Sequence, residues 1–298
     1  MYRTILAVLM LLVFSVSSTA ATFDVRDYGA VGDGKVVDTQ AIQAALDACA
    51  AAGGGRVVIP PGEYLCGRVV VPSHVTVELQ AGATIQGSRR PEDYGGGPAV
   101  VFYARDAERI AFQNMSVETY DPAGETNVEH GMYPIFVDIE RRHEDSLVGK
   151  IRDLTFDTID IASGAGVLIQ GMPESMIENL RLRGVSFRVT KPIDYSDRKK
   201  HIGGRRTTRD ERDTLFVRKP SYVTLAYVDG LSVDGLQVSM TGEALKLYER
   251  AALSGYFVNS FAVRDVARAP YDETVEVPAV VFRESGRGFV ADCEEVSR

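Results

Sequence analysis

Apolar and polar residues alternate in short runs through the second half of the chain, and three of these runs share one pattern. Ile151–Ile161 (IRDLTFDTIDI), Ile177–Phe187 (IENLRLRGVSF) and Val228–Val238 (VDGLSVDGLQV) each place apolar residues at offsets 0, 3, 5, 8 and 10, with polar residues or Gly between them. For a chain with 45% hydrophobic residues, that pattern is expected only about 0.1 times by chance. Ala107–Val117 (AERIAFQNMSV) and Leu253–Val263 (LSGYFVNSFAV) keep all five apolar positions with lapses between them. The starts suggest a unit of about 25 residues with one inserted segment.

Each unit is a series of period-2 runs broken by Gly, Asn or Asp, which predicts strands joined at tight corners. Such a unit cannot bury its own apolar face, whereas stacked units bury one continuous core. The predicted fold class is therefore an all-β solenoid, a single-stranded right-handed parallel β-helix with an N-terminal capping α-helix. A Greek-key sandwich gives no reason for five offsets to recur. The cap is read from DTQAIQAALDACAAAGGG: Asp38 as N-cap, Ile42, Ala45, Leu46 and Cys49 on one face, and Gly53 as the stop. It would cover the apolar end and open strand edges of the first coil.

Composition changes this picture in three places. Arg3, the apolar run Ile5–Val16 and the small residues that follow read as a secretory signal peptide, residues 1–21. This predicts a secreted or periplasmic protein with no membrane anchor, residues 22–298 forming one β-helix domain. The formal charge of −8 argues against a nucleic-acid partner, which needs a basic face. One segment departs from it: between Lys191 and Lys219 ten Lys/Arg face five Asp/Glu. The three cysteines allow one disulfide at most, Cys49 with Cys66, or free buried thiols. No cysteine or histidine spacing fits a metal site, and no cofactor is expected. GAVGDG (Gly29–Gly34) has the wrong spacing for a dinucleotide loop, and Asp33 and Asp38 would repel phosphate.

The run FDVRDYGAVGDGKVVDTQAIQAALDACAAAGGGRVVIPPGEYLCG, with HVTVELQAGATIQGS after it, resembles the N-terminal region of the pectate-lyase-like superfamily. Within it, the polygalacturonase-type glycoside hydrolases of family 28 are the nearest likeness. YPIFVDIERR, GVLIQGMPESMIENLRLRGVSF and VRKPSYVTLAYVDGLSVDGLQV resemble the C-terminal coils of bacterial members. The resemblance implies a right-handed parallel β-helix that hydrolyses galacturonate polymers with inversion, using aspartates on neighbouring coils. It also implies four motifs, Asn-Thr-Asp, Asp-Asp, Gly-His-Gly and Arg-Ile-Lys, and none is present. The coils that carry them are missing between about Thr119 and Tyr133, so no catalytic residue carries over.

Site candidates come instead from the residues themselves. In PIFVDIERR, strand alternation puts Asp138 and Glu140 on one face, about 6.5–7 Å apart, within the range of an inverting carboxylate pair. Asp138, Glu140 and His130, which lies beside a glycine, are the catalytic candidates; salt bridging of the carboxylates with Arg141 and Arg142 is the structural alternative. Arg141, Arg142, Arg205, Arg206 and Arg209 are candidate contacts for uronate carboxylates, which the arginine fork matches. The last three lie in a charged loop, residues 191–220, which also reads as a solvated charge run. Asp153, Asp157 and Asp160 face Asn179, Arg183 and Ser186 one repeat later, so they form no stacked carboxylate pair. The expected partner is an acidic, pectin-like polysaccharide, the expected state a monomer, and the leading reaction glycoside hydrolysis. A non-catalytic carbohydrate-binding β-helix and a uronate lyase are the alternatives.

Overall fold

The computed structural model describes residues 21–88, 90–95, 101–104, 106–118, 134–139, 147–164, 166–189, 221–240, 251–269, 278–293 and 296–297. Its first elements are β1 (Thr22–Asp24), β2 (Asp33–Val37), α1 (Thr39–Ala51), β3 (Gly55–Ile59), β4 (Gly62–Cys66), β5 (Val69–Val70), β6 (Val75–Leu79), β7 (Ala83–Gly87) and β8 (Phe102–Tyr103). Five long strands follow, β9 (Ala107–Glu118), β11 (Ile151–Ser163), β13 (Ile177–Val189), β14 (Val223–Met240) and β15 (Leu253–Ala269). Shorter strands complete the set: β10 (Phe136–Asp138), β12 (Val167–Gln170), β16 (Val280–Arg283), β17 (Gly288–Ala291) and β18 (Val296–Ser297). Every strand pairing is parallel, with a main ladder β1-β3-β6-β9-β11-β13-β14-β15-β16-β18. Parallel neighbours in ascending chain order are what a coil-on-coil stack requires.

The offsets in the sequence have a backbone cause. Units beginning at Ala107, Ile151, Ile177, Val228 and Val258 stack in register. In each of them the residues at offsets 2 and 7 have positive φ: Arg109, Asp153, Asn179, Gly230 and Ser260 at the first corner, Asn114, Thr158, Gly184, Gly235 and Asp265 at the second. A left-handed residue bends the strand, so the inward positions restart after each corner and the spacing becomes 3, 2, 3, 2. Asn, Asp and Gly carry most of these corners because they tolerate that conformation best. Asn179 also donates its side-chain amide to Asp153 Oδ1 at 3.0 Å, tying one corner to the next.

The fifth unit corrects the sequence reading, which started it at Leu253. The ladder pairs Val228 with Val258, so the unit begins five residues later. A 3-2-3-2 pattern maps largely onto itself when shifted by five, so hydrophobicity alone fixes this register poorly. The true start puts Arg268, which is buried, at offset 10, opposite Val238.

Rows of like side chains fill the interior. Ile110, Leu154, Leu180, Leu231 and Phe261 form one row in register and all are buried. Phe112 stacks on Phe156 with ring centroids 5.4 Å apart. Helix α1 closes the N-terminal end with Ile42, Ala45, Leu46 and Cys49 buried, the face the sequence predicts. Asp38 stands at the N-cap position but makes no side-chain cap. Its carboxylate instead accepts the amides of Val31 at 2.7 Å and Gly32 at 3.1 Å. The GAVGDG loop thus spends on a protein carboxylate the amides that a phosphate would need. Cys49, Cys66 and Cys293 are all free thiols. Burial, aided by the Asp38 carboxylate, pushes the Cys66 thiol up to about 12. No helix among the described residues is long and apolar enough to cross a membrane.

Candidate active face

Two outward faces of the solenoid carry polar side chains, and they differ in kind. On the face between the two corners, offset 6 reads Gln113, Asp157, Arg183, Asp234 and Arg264 in register. Arg183 binds Asp157 through both Nε and Nη2, and at offset 1, before the first corner, Arg152 pairs with Glu108. Acid and base alternate along the axis, so this face neutralises itself. Asp160 faces Ser116 and Ser186. Asp157 and Asp160 thus meet no carboxylate in register, as the sequence indicates, whereas one residue after the unit starts Glu178 stands opposite Asp229, a stacked carboxylate pair that sequence reasoning did not single out.

The hydrogen bond from Arg183 holds the Asp157 carboxyl below the ordinary carboxylate range, against the opposing effect of burial. A depressed folded-state pKa means that the pair stabilises the fold above the unfolded value of about 3.9, and that this contribution disappears as pH falls through the folded value. Asp157→Asn is therefore expected to lower the thermal midpoint at pH 7 by a small amount and to leave it unchanged near pH 2, as melts across that range would show. Arg183 is largely exposed, which keeps the effect small.

The second face belongs to the sheet that precedes the first corner, where β10, β12, the start of β14, the start of β15, and β16 pair side by side. Alternation sorts their side chains. Val137, Ile139, Ile169, Leu225 and Phe282 pack in the core. At Gly255 a Cβ would lie 2.3 Å from Phe282 Cε1, so that position also points inward. The residues between them point out, in two rows. One row is Phe136, Leu168, Thr224, Ser254 and Val281; the other is Asp138, Gln170, Ala226, Tyr256 and Arg283.

The middle of this face is covered and its ends are open. Leu168, Gln170, Thr224, Ala226 and Ser254 point outward and yet are buried. Ser221 bridges Thr224 Oγ1 at 2.6 Å and the Ser254 hydroxyl, so these hydroxyls satisfy one another. At one end Phe136 is 42% exposed and Asp138 is half-buried. Asp138 is itself held by a polar or electrostatic contact. At the other end Tyr256 is half-buried and Arg283 exposed. Burial raises the Tyr256 phenol, and the Arg283 guanidinium beside it pulls the other way.

Of the site residues expected from the sequence, the structure places Asp138 on this face, on β10 and in register with Gln170. His130, Glu140, Arg141, Arg142, Arg205, Arg206 and Arg209 lie outside the described residues, as do residues 191–220 and residues 1–20 of the leader. Sequence reasoning missed Gln170, Tyr256 and Arg283. Sequence reasoning counted Tyr256 as an inward apolar position because it started the unit at Leu253, whereas the register puts it two residues before the true start and in line with outward Ala226.

Residues 22–208 match the family model described as rhamnogalacturonase A/epimerase, pectate lyase-like. The chain belongs to that family. A mannuronan C5-epimerase of Azotobacter vinelandii is 31% identical over 173 residues, 54% of this chain and 9% of the relative. Plasmin and fibronectin-binding protein A of Streptococcus pneumoniae is 31% identical over 174 residues, 54% of this chain and 24% of the relative. The chain thus spans a quarter or less of these two relatives. A solved candidate glycosyl hydrolase of Parabacteroides merdae aligns over 90% of this chain and 97% of its own, with a TM-score of 0.51 and 16% identity, a likeness of fold. The superfamily expected from the sequence is thereby shown.

Proposed function

We propose that this protein modifies an acidic, uronate-containing polysaccharide at the Asp138 end of the outward face. The observation that carries the reading is the placement of Asp138, outward on β10 at the open end of a sheet otherwise covered by buried neighbours. The family match and the epimerase relative support the substrate class.

The reaction best supported is proton removal at C5 of a uronate. A base takes the C5 proton, the electron pair passes into the carboxylate, and a cation beside that carboxylate steadies the charge. Return of a proton from the opposite side of the ring gives the epimer; breakage of the bond to the C4 oxygen gives elimination. In this reading Asp138 is the base, His130 the group on the opposite side, and Arg141 and Arg142 the cations, with Arg205, Arg206 and Arg209 contacting further carboxylates. The epimerase relative favours this order of preference. The second reading is polygalacturonase-type inverting hydrolysis by Asp138 and Glu140, which their separation along an extended strand would suit.

Incubation with polymannuronate and with polygalacturonate separates these chemistries. Epimerisation changes the ring-proton NMR spectrum without shortening the chain, elimination yields an ultraviolet-absorbing unsaturated product, and hydrolysis yields reducing ends alone. The expected outcome is one of the first two. Reducing ends alone would replace the C5 reading by hydrolysis, and binding without any product would leave a non-catalytic carbohydrate-binding β-helix.

A further inference from the structure

We propose that Tyr256 and Arg283 form a second carboxylate-binding subsite, at the opposite end of the same face from Asp138. Successive strands β10, β12, β14, β15 and β16 lie about 4.8 Å apart. The register therefore places Tyr256 three strands and Arg283 four strands from Asp138, about 14 and 19 Å along the solenoid axis.

Three observations make this pair a site. Both side chains point outward, because the residues before them, Gly255 and Phe282, point into the core. Tyr256 and Arg283 are direct register partners, so phenol and guanidinium stand side by side at the open end. Among the described residues Arg283 makes no salt bridge with a carboxylate, while Arg56, Arg90, Arg152 and Arg183 each do. An exposed guanidinium fork with an adjacent hydroxyl suits a carboxylate held bidentately, with the phenol donating to one of its oxygens or to a neighbouring sugar hydroxyl.

The subsite rests on the reading of Asp138 as the reacting end. A single sugar cannot touch both ends, but a polymer can, and engagement of the second end then occurs at high effective concentration. Length and charge of the substrate are thus selected together: a short oligouronate gains one end, and a neutral polymer gains neither. The covered middle of the face is compatible with this arrangement, since contact is required only at the two open ends.

The test measures binding to the Asp138→Asn protein by calorimetry, with polymannuronate, polygalacturonate, their disaccharides and neutral dextran as probes. One of the uronate polymers is expected to bind more tightly than its disaccharide, and Arg283→Gln is expected to weaken polymer binding about tenfold, leaving the disaccharide no worse than the polymer. Arg283→Lys should recover part of the loss, since it keeps charge without the fork, and Tyr256→Phe should cost less than Arg283→Gln. Unchanged thermal midpoints establish that each variant folds. Equal affinity of Arg283→Gln and its parent for the polymer, equal weakening on dextran, or no binding of any uronate polymer would overturn the subsite. Arg283-dependent binding without turnover by the unsubstituted protein would uphold the subsite and overturn the reaction. Turnover with Arg283-independent binding would do the reverse.

Discussion

Asp138→Asn is expected to reduce turnover of the uronate polymer by about 10²–10⁴-fold, the usual contribution of a positioned acid–base group. The substitution keeps the size of the side chain and one acceptor oxygen. The strand around it is anchored by Val137 and Ile139 in the core and by the ladder to Leu168, Ile169 and Gln170. Circular dichroism and thermal midpoint should therefore match the unsubstituted protein while activity falls. Glu140→Gln then separates the two chemistries. Inverting hydrolysis needs both carboxylates and would lose comparable activity in either variant. Proton removal at C5 by Asp138 would lose far less in Glu140→Gln. Full activity of Asp138→Asn would remove Asp138 from the mechanism under both readings.

The fold was legible because a corner is cheap to encode and hard to disguise. Asn, Asp or Gly at offsets 2 and 7, with apolar residues fixed around them, specified a bent strand in Ile177–Val189 as clearly as in Val228–Met240. The capping helix was equally plain, since Ile42, Ala45, Leu46 and Cys49 recur at helical spacing. The fifth unit misled because a pattern of period five cannot fix its own register, and a buried Arg268 stands where an apolar residue would have settled it. The candidate face was only partly readable. Asp138 stood out as a carboxylate in an alternating run, whereas Tyr256 and Arg283 come from separate strands that only the register brings side by side. What joined them into one row was the stacking register, which depends on loops of variable length between units. No periodicity in the sequence carries that information.

Leu180→Ala is expected to produce the largest loss of stability. Leu180 is fully buried in the middle of the row from Ile110 to Phe261, between Leu154 and Leu231. Truncation removes contacts with the coil on each side and leaves a cavity that rigid ladder hydrogen bonds prevent from collapsing. The cost expected for a buried Leu→Ala is about 2–5 kcal/mol, a fall in thermal midpoint of roughly 4–20 °C for a domain of this size. In a solenoid each coil is supported only by its neighbours. A cavity between two coils therefore weakens their interface more than it weakens either coil, and the stack divides there. Hydrogen exchange should show faster opening of β13 and β14 than of α1 and β3 in this variant. Uniform acceleration through the whole chain would mean that the stack unfolds as one cooperative unit, and that the nearest-neighbour description of its stability is wrong.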